Sequence, residues 1–284
     1  MKLLVGIYIA IVVIFILTLL AFFLEDVLFI NVKVKKIKDF IDKLPETTLE
    51  QVRLQKNDND FSGVYVLYNI NKSRYYVGQG INVFSRVYSH FVGKGNPDVY
   101  VDVRDGDHFV IKIISLKVSG YSSLDKLERH AIKAFNSYEE GYNKTRGNGN
   151  FYSGLNVYRS KPHKFDIEKT KELLEKYAKG EIEVSYKTFC NFKQRIAPYK
   201  TDFPGVYVIQ NKTKKMFYVG KSKNIFNAIN KQFIGQGNQN IYADWKLGDK
   251  LTIKTQSLGY IDSSNLDEEV SRLKIEYSKT MTKY

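Results

Sequence analysis

The chain is short of cysteine, proline and acid. Its single cysteine, Cys190, excludes an intramolecular disulfide and any zinc site built from paired cysteines, and it fits a reducing compartment. Proline is held to 5 residues, against 21 tyrosines and 18 phenylalanines, which excludes a disordered, proline-rich chain. Histidine is scarce too. Of the 4 present, His108, His130 and His163 share no common spacing and are read as surface or core residues. Asp and Glu total 30 against 44 Lys and Arg, a formal net charge of +14. That imbalance favours a polyanionic partner, nucleic acid or an anionic lipid surface. The 284 residues leave room for about two ordinary domains.

Charge is also missing from Leu3 to Leu24. The run matches the roughly 20 apolar residues a helix needs to span a bilayer. Phe22-Phe23-Leu24 leads straight into Glu25 and Asp26, a poor signal-peptidase site. The expectation is an uncleaved anchor over residues 1–26, with a cleaved signal peptide as the alternative. Lys33, Lys35, Lys36 and Lys38 follow it, so the expected location is a single-pass membrane protein with its C-terminal domains in the cytoplasm. Val27, Ile30, Val34, Ile37, Ile41 and Leu44 recur at helical spacing within a juxtamembrane linker, 27–60. Such a helix lies near a membrane surface or packs on the soluble part; periodicity does not separate the two.

An internal repeat organises the rest. Phe61-Ser-Gly-Val-Tyr-Val returns as Phe203-Pro-Gly-Val-Tyr-Val, at the offset of 142 that separates Gly63 from Gly205. The same offset pairs Tyr76 with Tyr218, Phe91 with Phe233, Asn96 with Asn238 and Asp102 with Asp244. It predicts tandem domains at 61–150 and 202–284 joined by a helical linker, 151–201, with a helix over Asp166–Lys179. Each copy opens with two apolar strands around a polar turn, Asn69–Lys72 in the first. A helix over Val83–Phe91, a strand over Phe109–Leu116 and a helix over Leu124–Tyr138 are expected next. The class is α+β: a transmembrane helix, then two small domains, each a short antiparallel sheet with helices on one side.

Within the first copy, Tyr65 and Tyr76 are placed to face each other across the hairpin. Arg86 and His90 share a helix face. Glu128 sits on the apolar stripe of Leu124, Ala131, Ile132 and Phe135, a costly position for a carboxylate without a partner or a metal. Asn143 follows in Gly141-Tyr142-Asn143. The set suits phosphodiester cleavage: an arginine stabilises charge on phosphoryl oxygens, and one carboxylate can hold Mg²⁺ with waters completing its shell. The alternatives remain core tyrosines, an Arg86–Glu128 ion pair, a packed His90 and a turn-forming Asn143.

These residues resemble the GIY-YIG nucleases. Gly63-Val64-Tyr65 stands for the first tripeptide and Tyr76-Val77-Gly78 for the second. Arg86, His90, Glu128 and Asn143 follow in the family's order. The resemblance implies that Tyr65 helps activate water, Tyr76 and His90 orient or relay the proton, and Arg86 holds the phosphate. It implies that Glu128 ligates Mg²⁺ or Mn²⁺ and that Asn143 orders the site.

The second copy keeps Tyr207 and Tyr218 but has Ala228, Gln232 and Val270 at the arginine, histidine and glutamate positions, with Glu269 one residue away. It reads as catalytically dead. Lys212, Lys214, Lys215, Lys221 and Lys223, with Lys231, could grip a nucleic-acid backbone, or the copy could be a scaffold. The leading expectation is a membrane-anchored endonuclease acting on DNA in preference to RNA, including incoming foreign DNA, and as a homo-oligomer if it cuts both strands. The alternatives are a non-catalytic module tethering DNA or RNA at the membrane, and a membrane protein binding a protein partner. Fold alone does not choose among them.

Overall fold

The computed structural model describes residues 30–147, 167–196, 202–261 and 265–284. It divides into two compact units: residues up to Ser89 with Asp107–Phe151, and His90–Gly106 with the residues from Tyr152 onward.

In the first unit a helix, α1, is described over residues 30–42. It buries Ile37 and Ile41 in a core shared with Val64, Val66, Val77, Ile114 and Leu127. Helix α2 (Leu49–Asp58) starts on a capping box: Thr48 accepts from the Gln51 N–H, and the Gln51 side chain accepts from the Thr48 N–H. Strands β1 (Gly63–Asn69) and β2 (Arg74–Gly80) lead into α3 (Val83–Phe91). After α4 (Pro97–Asp105) come β3 (Phe109–Ser115) and α5 (Leu124–Ala134). The sheet order is β2-β1-β3, antiparallel throughout. Alternate residues of β1 face opposite ways: Val64 and Val66 pack in the α1–α5 core, while Tyr65 lies on the other face. Helices therefore cover both faces of the sheet, not one.

Three local expectations are revised. The turn spans residues 70–73, because Asn69 pairs with Arg74 as the last rung of the ladder. Ser73 closes it at φ 53°. The helix expected to reach Tyr138 stops at Ala134, since Asn136 adopts φ 50°, a left-handed conformation that ends helices. Helix α4 was not foreseen, although Asn96 caps the Asp98 and Val99 N–H groups, Pro97 occupies its first turn and Gly106 ends it at φ 92°.

The second unit is a five-stranded sheet, β4-β7-β5-β6-β8. Its elements are α6 (Ile167–Lys179), β4 (Glu183–Ser185), α7 (Tyr186–Ile196), β5 (Gly205–Asn211), β6 (Met216–Ser222), α8 (Ile225–Phe233), α9 (Gln239–Lys246), β7 (Leu251–Ser257), α10 (Leu266–Ser278) and β8 (Thr282–Lys283). From β5 to α10, each element starts 142 residues after its counterpart between β1 and α5. One face of the sheet packs Val206, Val208, Val219, Val270 and Leu273. The other packs Tyr207 and Ile209 against Tyr177, Phe189, Phe192 and Phe226. Helices α6 and α7 are thus core elements of this unit. The stretch 151–201, expected as a linker, contributes some of its largest buried aromatics. In the same unit α4 lies on α9 with reciprocal hydrogen bonds: Tyr100 donates to Asn240 at 2.8 Å and Tyr242 to Asp98 at 2.6 Å.

The described residues do not present the membrane-anchored architecture expected from the sequence. Among the described residues no helix is long and apolar enough to cross a membrane. The segment 3–24, on which that expectation and the single-pass location rested, lies outside the described residues. The stretch 27–60, expected as a juxtamembrane linker, contains α1, whose Ile37 and Ile41 are turned into protein core. What the structure presents is a mixed α/β arrangement of sheets and helices.

Candidate active site

The site is built on the β1–β2 hairpin and the first turn of α3. Tyr65 is not opposite Tyr76. Its partner is Gly78, while Tyr76 pairs with Leu67. The two tyrosines are diagonal neighbours on one face, with ring centroids 6.1 Å apart. The diagonal exists because Gly78 has no side chain. A Cβ there would collide with the Tyr65 ring and hydroxyl. Gly78→Ala is expected to cost about 1–3 kcal/mol of stability by overpacking. A urea midpoint within error of wild type would show that the ring can move aside.

Tyr65 is fully buried, and Tyr76 is partly exposed. The Tyr65 and Tyr76 hydroxyls are hydrogen-bonded to each other, and Arg86 hydrogen-bonds both phenols. Burial pushes the Tyr65 phenol well above its ordinary value of 10, Tyr76 adds to the rise, and Arg86 opposes it. Burial also raises Tyr76, Arg86 pulls it down, and the negative charge of Glu128 pushes it up. Four of the residues singled out in the sequence therefore act on one another: Tyr65, Tyr76, Arg86 and Glu128.

The helix that carries Arg86 is capped by a residue that sequence reasoning missed. Asp60, just before β1, accepts from the Phe84 and Ser85 N–H groups, both at 2.9 Å. It thereby caps the open end of α3. Asp202 does the same for Phe226 at 2.9 Å and Asn227 at 3.2 Å. The signal was visible as an aspartate before the leading phenylalanine of both repeats. A second missed group is Asn69, fully buried, which donates to Asp107 at 2.7 Å and to Tyr142 at 2.8 Å. It ties the end of β1 to the segment carrying Asn143.

Asn143 is not aimed at a substrate. Its side chain accepts from the Val77 N–H at 2.9 Å and donates to the Val77 carbonyl at 2.7 Å. It pairs with the edge of β2 as another strand would, beside Tyr76.

His90 is fully buried, and its Nδ1 accepts from the Asn96 N–H at 2.7 Å. A ring nitrogen so used carries no proton of its own and cannot take one while that bond lasts. In the second unit Gln232 Oε1 accepts from the Asn238 N–H, also at 2.7 Å, and Gln232 Nε2 donates to Tyr207 at 3.0 Å. Glutamine reproduces one acceptor and one donor, as a neutral imidazole does. His90→Gln is expected to keep cleavage within about threefold of wild type. His90→Ala orphans a buried N–H at about 1–3 kcal/mol. Loss of cleavage in a stably folded glutamine variant would make His90 a proton carrier after all.

Among the described residues no group of three or more His, Cys, Asp or Glu could hold a metal ion. The donor set is the one carboxylate of Glu128, on α5 and 9% exposed. That is too poor for zinc and suits a hard cation that keeps most of its waters.

At the equivalent place in the second unit, Tyr207 and Tyr218 keep the diagonal, with centroids 6.0 Å apart, and Tyr207 again lies over a glycine, Gly220. The charged groups are gone. Ala228 and Val270 stand where Arg86 and Glu128 stand, and Glu269 is bound by Arg272 at 2.6 and 2.8 Å. Of the lysines expected to grip nucleic acid, Lys212 pairs with Glu183, Lys214 with Asp244 and Asp249, and Lys221 with Asp267. Lys215 and Lys223 are exposed.

No curated protein and no solved structure matches the chain. GIY-YIG nucleases bind nucleic acid, and a match to that family's catalytic domain is consistent with phosphodiester hydrolysis. Residues 61–143 match the GIY-YIG catalytic domain, the catalytic domain of a nuclease family.

Proposed function

We propose that residues 61–143 form a metal-assisted endonuclease that hydrolyses phosphodiester bonds in DNA. The observation that carries this reading is the convergence of Arg86, two hydrogen-bonded phenols and the charge of Glu128. A binding module has no use for a donor pair directed at one phenol oxygen.

Tyr76 is the base in this reading, in place of Tyr65. Tyr65 is sealed from water. In this reading its hydroxyl and Arg86 both donate to the Tyr76 oxygen and pull that phenol down against the burial that raises it. That oxygen takes a proton from water as the water oxygen bonds to phosphorus. Arg86 leaves the phenols in part to hold the non-bridging phosphate oxygens, where negative charge grows. The bond from phosphorus to the leaving sugar oxygen then breaks. Glu128 would hold a Mg²⁺ or Mn²⁺ ion, whose chemistry here is to polarise the phosphate and stabilise the leaving oxygen. His90 and Asn143 position the hairpin and α3 and do not touch the reacting atoms.

The second unit is a degenerate copy of the same domain in this reading, supported by its common register and the absence of arginine at Ala228. With three of its lysines ion-paired, it serves as scaffold more than as backbone grip. The experiment is plasmid cleavage by the full chain with Mg²⁺, with Mn²⁺ and with chelator. Nicking or linearisation that needs the metal supports the proposal. DNA bound and left intact with every metal sinks it and favours a tethering module.

A further inference from the structure

A cationic concavity in the first unit is lined by neither Tyr65 nor Tyr76. Its volume is about 510 Å³. Helix α1 contributes Lys33, Lys36, Ile37 and Phe40, one face of the helix, and α5 contributes Lys126 and His130, one turn apart. The loop at residues 118–122 closes the third side with two serines and Tyr121. Among the described residues no acidic side chain lines it. Gly120, at φ 72°, leaves open space where a side chain would stand.

The electrostatics of this groove are one-sided. His130 is held to Tyr121 by a 2.9 Å hydrogen bond. Like charges gathered in a concave, partly desolvated site are costly until an anion enters. The volume falls within the range of small-molecule sites, well beyond a bare phosphate. Phe40 and Tyr121 offer rings to a planar group, with lysines and hydroxyls around them. Cations over aromatic and apolar walls are the pattern of a site for phosphate joined to a base.

We propose that this groove binds a single-stranded segment of the nucleic-acid substrate, Lys36 and Lys126 on its phosphates and Phe40 and Tyr121 against its bases. The proposal rests on the nuclease reading above and extends it: the chain would hold its substrate at a strand site on α1 and α5, distinct from the cutting site. A cleft walled by three elements suits a strand better than lipid headgroups on a flat surface.

The test is fluorescence anisotropy of the full chain with a short labelled single-stranded oligonucleotide, in chelator, so that cutting plays no part. Lys36 and Lys126 are exposed, and their alanine variants should fold normally. Each phosphate contact contributes about 0.7 to the slope of log affinity against log salt for a single strand. The double variant Lys36→Ala, Lys126→Ala is therefore expected to lose roughly 1.4 from that slope. Arg86→Ala should leave the slope lost on this double change intact while slowing cleavage by about 10²–10³. An unchanged slope overturns the strand site even if wild type cuts DNA. A reduced slope with no cleavage by wild type keeps the strand site and removes the nuclease reading. Vesicles containing anionic phospholipid form the last arm. Vesicle binding that depends on both lysines, with oligonucleotide affinity untouched, overturns the proposal in favour of a headgroup site.

Discussion

Arg86→Ala should cut the single-turnover rate of DNA cleavage by about 10²–10³, the usual loss when one donor aimed at developing charge is removed. DNA affinity should change far less, because Arg86 is one cation in a chain carrying 44 lysines and arginines. The residue is exposed and its cap comes from Asp60, so alanine leaves α3 in place. Arg86→Lys should recover only part of the rate. An ammonium is a point charge and lacks the planar fork that serves two phenols and a phosphate. Rates within threefold of wild type in the alanine variant would detach Arg86 from the chemistry.

The tyrosines should separate in both rate and pH dependence. Tyr76→Phe removes the base and is expected to cost about 10²–10⁴ in rate. Tyr65→Phe removes only a donor to that base, and a loss near tenfold is expected, about the worth of one hydrogen bond. Both phenols lie above 10. The active form is the deprotonated one, so its fraction, and the rate, should climb about tenfold per unit between pH 7 and pH 9. The sign for Tyr65→Phe follows: without its donated hydrogen bond the Tyr76 phenolate is less favoured, and the profile moves to higher pH. A plateau below pH 8, or equal losses in the two variants, contradicts the assignment of Tyr76.

Much of this was legible in the chain, and the failures share a cause. Helix α3 came out at its observed limits because Val83, Val87 and Phe91 repeat at its period, and the strands because apolar residues run between polar turns. Tyr65, Tyr76, Arg86 and Glu128, which order and spacing single out, act on one another in the fold. What an apolar stripe does not encode is its partner. Ile37 and Ile41 would read the same against lipid or protein, and only the three-dimensional packing places them on Val64 and Val66. The aromatics of α6 and α7 were hidden in the same way inside an apparent linker. The pairing partner of Tyr65 was misplaced by two residues because polar composition marks a turn without setting its register. Asp60 and Asn69 escaped because a cap and a buried amide act on groups distant in sequence.

The central claim is that one carboxylate and one arginine beside paired phenols cut phosphodiesters. Glu128→Gln tests it most directly, since it keeps size and one acceptor oxygen while removing the charge that would hold the metal. The measurement is cleavage of an end-labelled duplex by the full chain across a Mg²⁺ titration, with circular dichroism and DNA affinity read on the same samples. The account predicts metal-dependent cutting by wild type and none by a folded, DNA-binding Glu128→Gln protein. Wild-type protein that binds the duplex and leaves it whole at every Mg²⁺ concentration would contradict it, and so would a glutamine variant that cuts as well as wild type.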